Sequence, residues 1–172
     1  MEYDLLIREA EIEDAAVLIS LLNQIGQESE FTSLDPAGIL MDESDMQAFI
    51  VKQAQSDNEI TLLAFLNDEL AGVINITADQ RPRVRHIGDI FLAIKKSFWG
   101  QGLGSVLLDE AIEWAKSSRV IRRLQLTVQK RNLAAVHLYQ KMGFIIEGVQ
   151  ERGACIEGGV FLDVYQMGKL ID

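Results

Sequence analysis

Apolar positions recur along this chain with two periods, and the alternation between them divides it into helices and strands. Leu5-Leu6-Ile7-Arg8 reads as a first strand, after which Val17, Leu18, Leu21, Leu22 and Ile25 share one face of a helix over about 14–25. A loop from Gln27 to Gly38 follows. Ser44-Asp45-Met46-Gln47 reads as a capping box that opens a second helix to about Gln55, with Phe49 and Ile50 inward. Strands then dominate: Ile60 to Leu66 and Leu70 to Thr77, joined by Asn67-Asp68-Glu69, predict a hairpin. Arg81-Pro82-Arg83 turns the chain into a strand from His86 to Ile94. A third helix over about 104–117 puts Leu103, Leu107, Ala111 and Trp114 inward and Asp109, Glu110, Glu113 and Lys116 in water. The strand Leu124-Gln125-Leu126-Thr127-Val128 and a short helix from Asn132 come next. Strands Phe144 to Val149 and Val160 to Tyr165, separated by a glycine-rich turn with Gly153 and Gly158-Gly159, complete a mixed sheet.

No linker, internal repeat or low-complexity tract interrupts this series, which predicts one domain over residues 1–172. The class is α/β (α+β), and 172 residues suffice to bury a sizeable core. A single cysteine, Cys155, excludes an internal disulfide and leaves no metal cluster, so a reducing compartment is expected and the thiol is read as inert. Met1-Glu2-Tyr3-Asp4 lacks the basic region and long apolar stretch of a signal peptide, and no apolar run reaches membrane-helix length. The expected location is the cytoplasm, without membrane contact. The net charge of −10 argues against non-specific binding to nucleic acid.

The most informative stretch joins the strand ending at Ile94 to the third helix: Lys95-Lys96-Ser97-Phe98-Trp99-Gly100-Gln101-Gly102-Leu103-Gly104-Ser105. The first turn of a helix has N–H groups without intrahelical acceptors and carries partial positive charge, so it holds a phosphate without a basic side chain. Glycines let the main chain lie against such a ligand. The spacing excludes two phosphate-binding loops. A P-loop needs Gly-Lys-Ser/Thr, whereas Gly104 is followed by Ser105-Val106. In the dinucleotide pattern G-x-G-x-x-G, counted from Gly100 and Gly102, the third glycine falls on Ser105.

What remains resembles the pyrophosphate-binding signature of the GNAT superfamily of N-acetyltransferases, Q/R-x-x-G-x-G/A, with Gly102 and Gly104 in the glycine slots. Trp99 stands in the Gln/Arg slot, a departure in side chain but not in backbone amide. A second segment strengthens the resemblance. Asn132-Leu133-Ala134-Ala135-Val136-His137-Leu138-Tyr139-Gln140-Lys141-Met142-Gly143-Phe144 is a helix with an N-cap asparagine and a C′ glycine. It resembles the second GNAT motif, N-x-x-A-x-x-L-Y-x-x-x-G-F, in family order and with room between for one helix and one strand. The resemblance spans about Ile87 to Gly168.

It implies the GNAT fold: a mixed, mostly antiparallel twisted sheet of six to seven strands with splayed central strands, flanked by about four helices. It also implies acetyl-CoA as cofactor and acetyl transfer to a primary amine of a small molecule or protein N-terminus by direct attack in a ternary complex. Such activity is that of bacterial ribosomal-protein, amino-acid and small-amine acetyltransferases. Pyrophosphate is then expected over the amides of Trp99, Gly100, Gln101, Gly102, Leu103, Gly104 and Ser105. Pantetheine is expected between the strands ending at Ile94 and Val128, with Asn132 in contact with it and Tyr139 near its sulfur.

Transfer from a thioester to an amine needs three things. An alkylammonium of pKa near ~10.4 must lose its proton, a handicap of roughly 4–5 kcal/mol at pH 7. The thioester oxygen needs fixed donors, for which a strand amide at Leu92 or Ile94 is the natural source. The departing thiolate needs only a modest proton source, which a phenol with an unperturbed pKa of about 10 placed at the sulfur can supply, and Tyr139 is that phenol. Asp89 resembles the acidic position from which some family members relay the amine's proton; a water chain is the alternative. Glu28, Glu30 and Asp35 in the loop after the first helix could line an acceptor pocket, and the acidic surplus suggests that carboxylates near Glu28, Glu30, Asp89 or Asp163 attract a cationic amine and help deprotonate it. Tyr139 could instead pack as a core ring, Asn132 act purely as a cap, and the acids be solvated; His86 and His137 read as structural. No metal is implied, and a homodimer is among the expected assemblies. A non-catalytic acyl-CoA sensor and a nucleotide-binding module are the competing classes; a Ser-His-Asp hydrolase lacks its G-x-S-x-G elbow.

Overall fold

The structure, a computed structural model, describes residues 4–172; Met1-Glu2-Tyr3, part of the segment read as no export signal, lie outside the described residues. Strands β1 (Leu5–Glu9), β2 (Ile60–Leu66), β3 (Glu69–Thr77), β4 (Ile87–Ile94), β5 (Arg123–Gln129), β6 (Ile145–Ile156) and β7 (Val160–Leu170) form one sheet in the order β1-β2-β3-β4-β5-β7-β6. Helices α1 (Ala15–Glu28), α2 (Glu43–Ala54), α3 (Leu103–Ser118) and α4 (Leu133–Lys141) flank it. Every neighbouring pair is antiparallel except β4 and β5. The expected mixed, mostly antiparallel sheet with four helices is therefore the observed architecture.

Two apolar layers follow from the two faces of the sheet. On one face α3 and α4 bury Leu107, Leu108, Ala111, Val136 and Tyr139 against Ile74, Ile76, Leu124 and Met167. On the other α1 and α2 bury Leu18, Leu21, Ile25, Met46 and Ile50 against Leu63, Val73 and Ala93. The strand residues thus alternate between layers, as period-two patterning requires. Arg8 of β1 grips Asp14, at the turn before α1, with two hydrogen bonds of 2.7 and 2.9 Å, and the carboxylate also accepts the Glu11 N–H at 2.7 Å. The Arg8 hydrogen bond holds the Asp14 carboxyl below its ordinary range.

Three expectations need correction. α2 opens two residues earlier than read: Asp42 is the N-cap, accepting from the Asp45 N–H at 2.8 Å while Asp45 reaches back to the Asp42 N–H. The overlapping frame starting at Ser44 loses because an Asp at N3 serves the reciprocal bond here. β6 and β7 continue well past Val149 and start-to-end pair as far as Ile156↔Val160, through polar stretches that show no alternation in sequence. Gly153 therefore lies inside β6, beside a register shift between Gln150 and Ala154, and not in the turn. The β2–β3 turn carries positive φ at Asn67 (49°) and Asp68 (67°), the hand that a two-residue hairpin needs.

Candidate active site

The site begins where β4 and β5 part. Their parallel ladder holds Ile87↔Arg123, Gly88↔Leu124 and Asp89↔Gln125 and then stops, although β4 stays paired with β3 to Ile94 and β5 with β7 to Gln129. The direction of the freed groups follows from the alternation of a strand. The Lys95 N–H donates to the Ala71 carbonyl at 2.8 Å on the β3 side, so the amides of Ile94, Leu92 and Ile90 face the β5 side; Ile90 makes the last rung of the ladder, and those of Leu92 and Ile94 face the gap. The His86 carbonyl, of the same parity, accepts from Arg122 and Arg123 on the β5 side. Leu92 and Ile94, the strand amides singled out from sequence, thus both open onto the splay. The Trp99 indole N–H donates to the Ile94 carbonyl at 2.8 Å and closes one of these groups off.

β4 leads through a helical turn, Lys96–Phe98, into the glycine loop. Glu28 of α1 accepts the Lys96 N–H at 2.6 Å and ties that turn down. Gly100 and Gly102 sit at φ 77° and 80°, and a Cβ on either would meet nothing within 4 Å. Both the conformation and the open space above it therefore favour glycine. Gly102 caps α3 without a side chain, so the N–H groups of Leu103, Gly104 and Ser105 have no acceptor within the helix, and the first turn holds no acidic residue. A Cβ at Gly104 would lie 3.2 Å from Leu138, which fixes the close approach of α3 to α4. Gln101 faces away, lining a shallower cleft of about 480 Å³ with Leu5 and Leu66.

Splay and loop open onto one cavity of about 790 Å³ that passes between the two layers. Asn132 and Tyr139 of α4 both line it. Asn132 accepts the Ala135 N–H at 3.3 Å, so it is a cap and a cavity residue at once. Tyr139 is 8 % exposed, with its ring edge-on to Phe144 at 5.9 Å. Its hydroxyl has no hydrogen-bond partner among the described residues, and burial pushes its pKa up to about 12. That departs from the ordinary phenol assumed from sequence, and the cause is desolvation of the phenolate.

The acidic residues sort differently from expectation. Asp89 is exposed, accepts from Gln125 at 2.8 Å and does not line the cavity, because it sits at the last paired position before the strands separate. Glu28 is spent on the Lys96 amide. Glu30 accepts the Glu157 N–H at 3.4 Å, and Asp163 on β7 accepts the Arg152 N–H at 3.3 Å; both are exposed and outside the lining. Asp35 alone of the nominated acids lines it. His86 and His137 stay outside.

Two contributors escaped the sequence reading. Phe31, in the α1–α2 loop, lies 6.2 Å from the Trp99 ring on one side and 5.2 Å from the Arg131 guanidinium on the other, bridging the ends of β4 and β5. Its neighbour Glu30 accepts from the Gln129 side chain through its carbonyl at 2.6 Å. Cys155, read as inert, is exposed and lines the same cavity through the unforeseen length of β6. A long polar loop and a strand without alternation carry no signal for either.

Comparison with known proteins agrees with this geometry. The model of the Acetyltransferase (GNAT) family matches residues 27–144. The chain is 31% identical over 109 residues to L-amino acid N-acetyltransferase AaaT of Escherichia coli (strain K12), covering 63% of this chain and 67% of that one. It is 33% identical over 99 residues to streptothricin acetyltransferase A of Bacillus subtilis (strain 168), covering 58% and 55%. A crystal structure of the acetyltransferase of GNAT family from Streptococcus pneumoniae superposes with a TM-score of 0.96 at 66% identity, over 98% of this chain and 100% of that one. The fold is shared with yncA from Salmonella typhimurium, solved with its cofactor acetyl-CoA, at a TM-score of 0.85, 18% identity and coverage of 98% and 95%.

Proposed function

The chain belongs to the acetyltransferase (GNAT) family, and on that premise we propose that it transfers the acetyl group of acetyl-CoA to a primary amine by direct attack within a ternary complex. The observation that carries this reading is the gap between β4 and β5, with the Leu92 and Ile94 amides turned into it and the glycine loop at its end. That geometry fits acetyl-CoA: unpaired amides for an amide-bearing arm, and unblocked space above Gly100 and Gly102 for a pyrophosphate.

In this reading the amides from Trp99 to Ser105 hold the pyrophosphate, and the splay and Asn132 hold the pantetheine arm. Acetyl-CoA supplies an acyl group activated as a thioester. The Leu92 amide faces the gap and supplies the fixed donor for charge developing on the carbonyl oxygen. Tyr139 presents an unpartnered hydroxyl to the leaving sulfur, a use that a sensor without turnover would not need. In balance, a C–N bond forms, the C–S bond breaks, and the proton given up by the amine ends on the thiol. Asp89, exposed and bonded to Gln125, does not line the cavity, so a water chain through the cavity is the favoured route for that proton.

The lone cysteine supports a reducing cytoplasmic setting. Among the described residues no helix is long and apolar enough to cross a membrane. The outer strand β6 leaves Ile145 and Val149 exposed, which supports a homodimer. An acetyl-CoA thiol-release assay against small amines, amino acids and peptide N-termini tests the activity: release with one amine supports the reading, and none with any removes it.

A further inference from the structure

The cavity is unusual in its charge. Among the described residues that line it, Asp35 is the one Asp, Glu, Lys, Arg or His. Everything else is apolar, aromatic or neutral-polar, with Ser29, Thr32, Ser33 and Thr127 supplying hydroxyls and Phe31 and Trp99 aromatic faces.

Asp35 is held in place by its backbone. A Cβ on Gly26 would lie 2.7 Å from the Asp35 carbonyl oxygen, so α1 packs directly against this part of the loop. The same carbonyl accepts the Gly38 N–H at 3.0 Å, and Oδ1 accepts the Ala37 N–H at 2.9 Å. Oδ2 has no protein donor among the described residues. The residue is exposed, as a group at a cavity mouth must be to meet an incoming ligand.

We infer that the acceptor is an amine bearing a second positive group and no carboxylate, and that Asp35 anchors that second group. The inference rests on the transferase reading and deepens it. A free α-amino acid needs a cation for its carboxylate; the nearest, Arg131, lies outside the lining, 5.2 Å from the Phe31 ring and with its Nε given to Gln129 at 2.9 Å, and an anionic acceptor would also face Asp35 and a chain of net charge −10. A distal ammonium gains the Asp35 carboxylate; the Phe31 and Trp99 rings already carry the Arg131 guanidinium at 5.2 Å and the Lys96 Nζ at 5.9 Å. The reacting nitrogen becomes an amide while the distal ammonium keeps its protons, so anchoring and chemistry use different atoms.

Three probes of matched length separate the alternatives: 1,4-diaminobutane, butylamine and 4-aminobutanoate, with longer diamines to find the best span. Thiol release at low salt should rank kcat/KM as diamine, then monoamine, then amino acid. Asp35→Asn retains an oxygen for the Ala37 N–H, and it should lower the diamine-to-butylamine ratio of kcat/KM about three- to ten-fold, mainly through KM. Calorimetric titration of the diamine onto CoA-saturated protein reads the same anchor without turnover. An unchanged ratio, or 4-aminobutanoate as the best probe, overturns the inference while leaving the transferase intact. Thiol release with none of the amines overturns the transferase reading itself, and absence of diamine binding then overturns the anchor separately.

Discussion

Removing a single oxygen from Tyr139 isolates its chemistry from its packing. The ring is 8 % exposed and rests edge-on against Phe144, while the hydroxyl has no protein partner to lose, so Tyr139→Phe should fold as well as the wild type. The magnitude follows from the raised pKa. Burial lifts the phenol from 10.0 to about 12, a bias of roughly 2.7 kcal/mol against the phenolate. Relative to an ordinary thiol near ~8.5, complete transfer of the proton to the thiolate is uphill by about 3.5 units, or roughly 5 kcal/mol. In the proposed role Tyr139 would therefore act chiefly as a hydrogen-bond donor to the sulfur as charge develops there. A bond to a charged group contributes about 1.5–3 kcal/mol, so kcat should fall roughly 10- to 150-fold. Single-turnover thiol release at saturating acetyl-CoA measures this directly, and calorimetry should give a Kd within about two-fold of wild type. Across pH 6 to 9 both proteins should show the same profile, since a phenol of pKa about 12 does not titrate there. Activity within two-fold of wild type, or a loss carried entirely by acetyl-CoA affinity, would refute the role.

Gly102→Asp places a charged side chain in the open space above the loop and a non-glycine residue at φ 80°; acetyl-CoA should bind at least about ten-fold more weakly by calorimetry, and more weakly than to Gly102→Ala, which carries the strain without the charge. Asp14→Asn should cost about 1–3 kcal/mol in urea unfolding at pH 7. Because the Arg8 bond lowers the folded pKa of Asp14 below 3.8, its stabilisation is complete above that value and is lost as pH falls through the folded pKa. Wild type and variant should therefore converge as pH falls below 3.8, and a difference that stays constant with pH would count against the ion pair. With any simple amine, kcat/KM should climb close to ten-fold per pH unit from about 6 to 8.5 as the ammonium deprotonates; a flat profile would mean that the proton is removed by a group already poised in the cavity.

The parts of this site that were legible in sequence are the contiguous ones. The glycine loop and the Asn132–Gly143 helix each carry capping and turn chemistry within a dozen residues, and both fold locally as that chemistry dictates. The two amides at Leu92 and Ile94 could be named because strand parity is fixed by geometry alone. The acceptor side was not legible. Glu28, Glu30 and Asp35 lie within eight residues on one loop and its preceding helix turn, each accepts a backbone N–H, and nothing local decides which of them also lines the cavity. Asp89 looked suitable by its place on β4, but the ladder ends at that very residue, and pairing with Gln125 takes up its carboxylate. β6 extends to Ile156 because β7 offers it a partner, a tertiary cause that no alternation records, and Cys155 enters the cavity with it.

The division of labour along the groove bears on how this protein changes over generations. Between β4 and the start of α3 the donors are peptide N–H groups, which survive almost any substitution short of proline, so a tryptophan in place of glutamine or arginine at position 99 costs the loop none of its amides. On the opposite side the lining is made by side chains of a surface loop, Asp35 among them, which the proposed reading gives to the acceptor. One or two codon changes there can redirect the enzyme to a new amine while the acyl donor continues to bind at every intermediate step. Selection can thus exchange acceptors gradually, without passing through a variant that has lost its supply of acetyl groups.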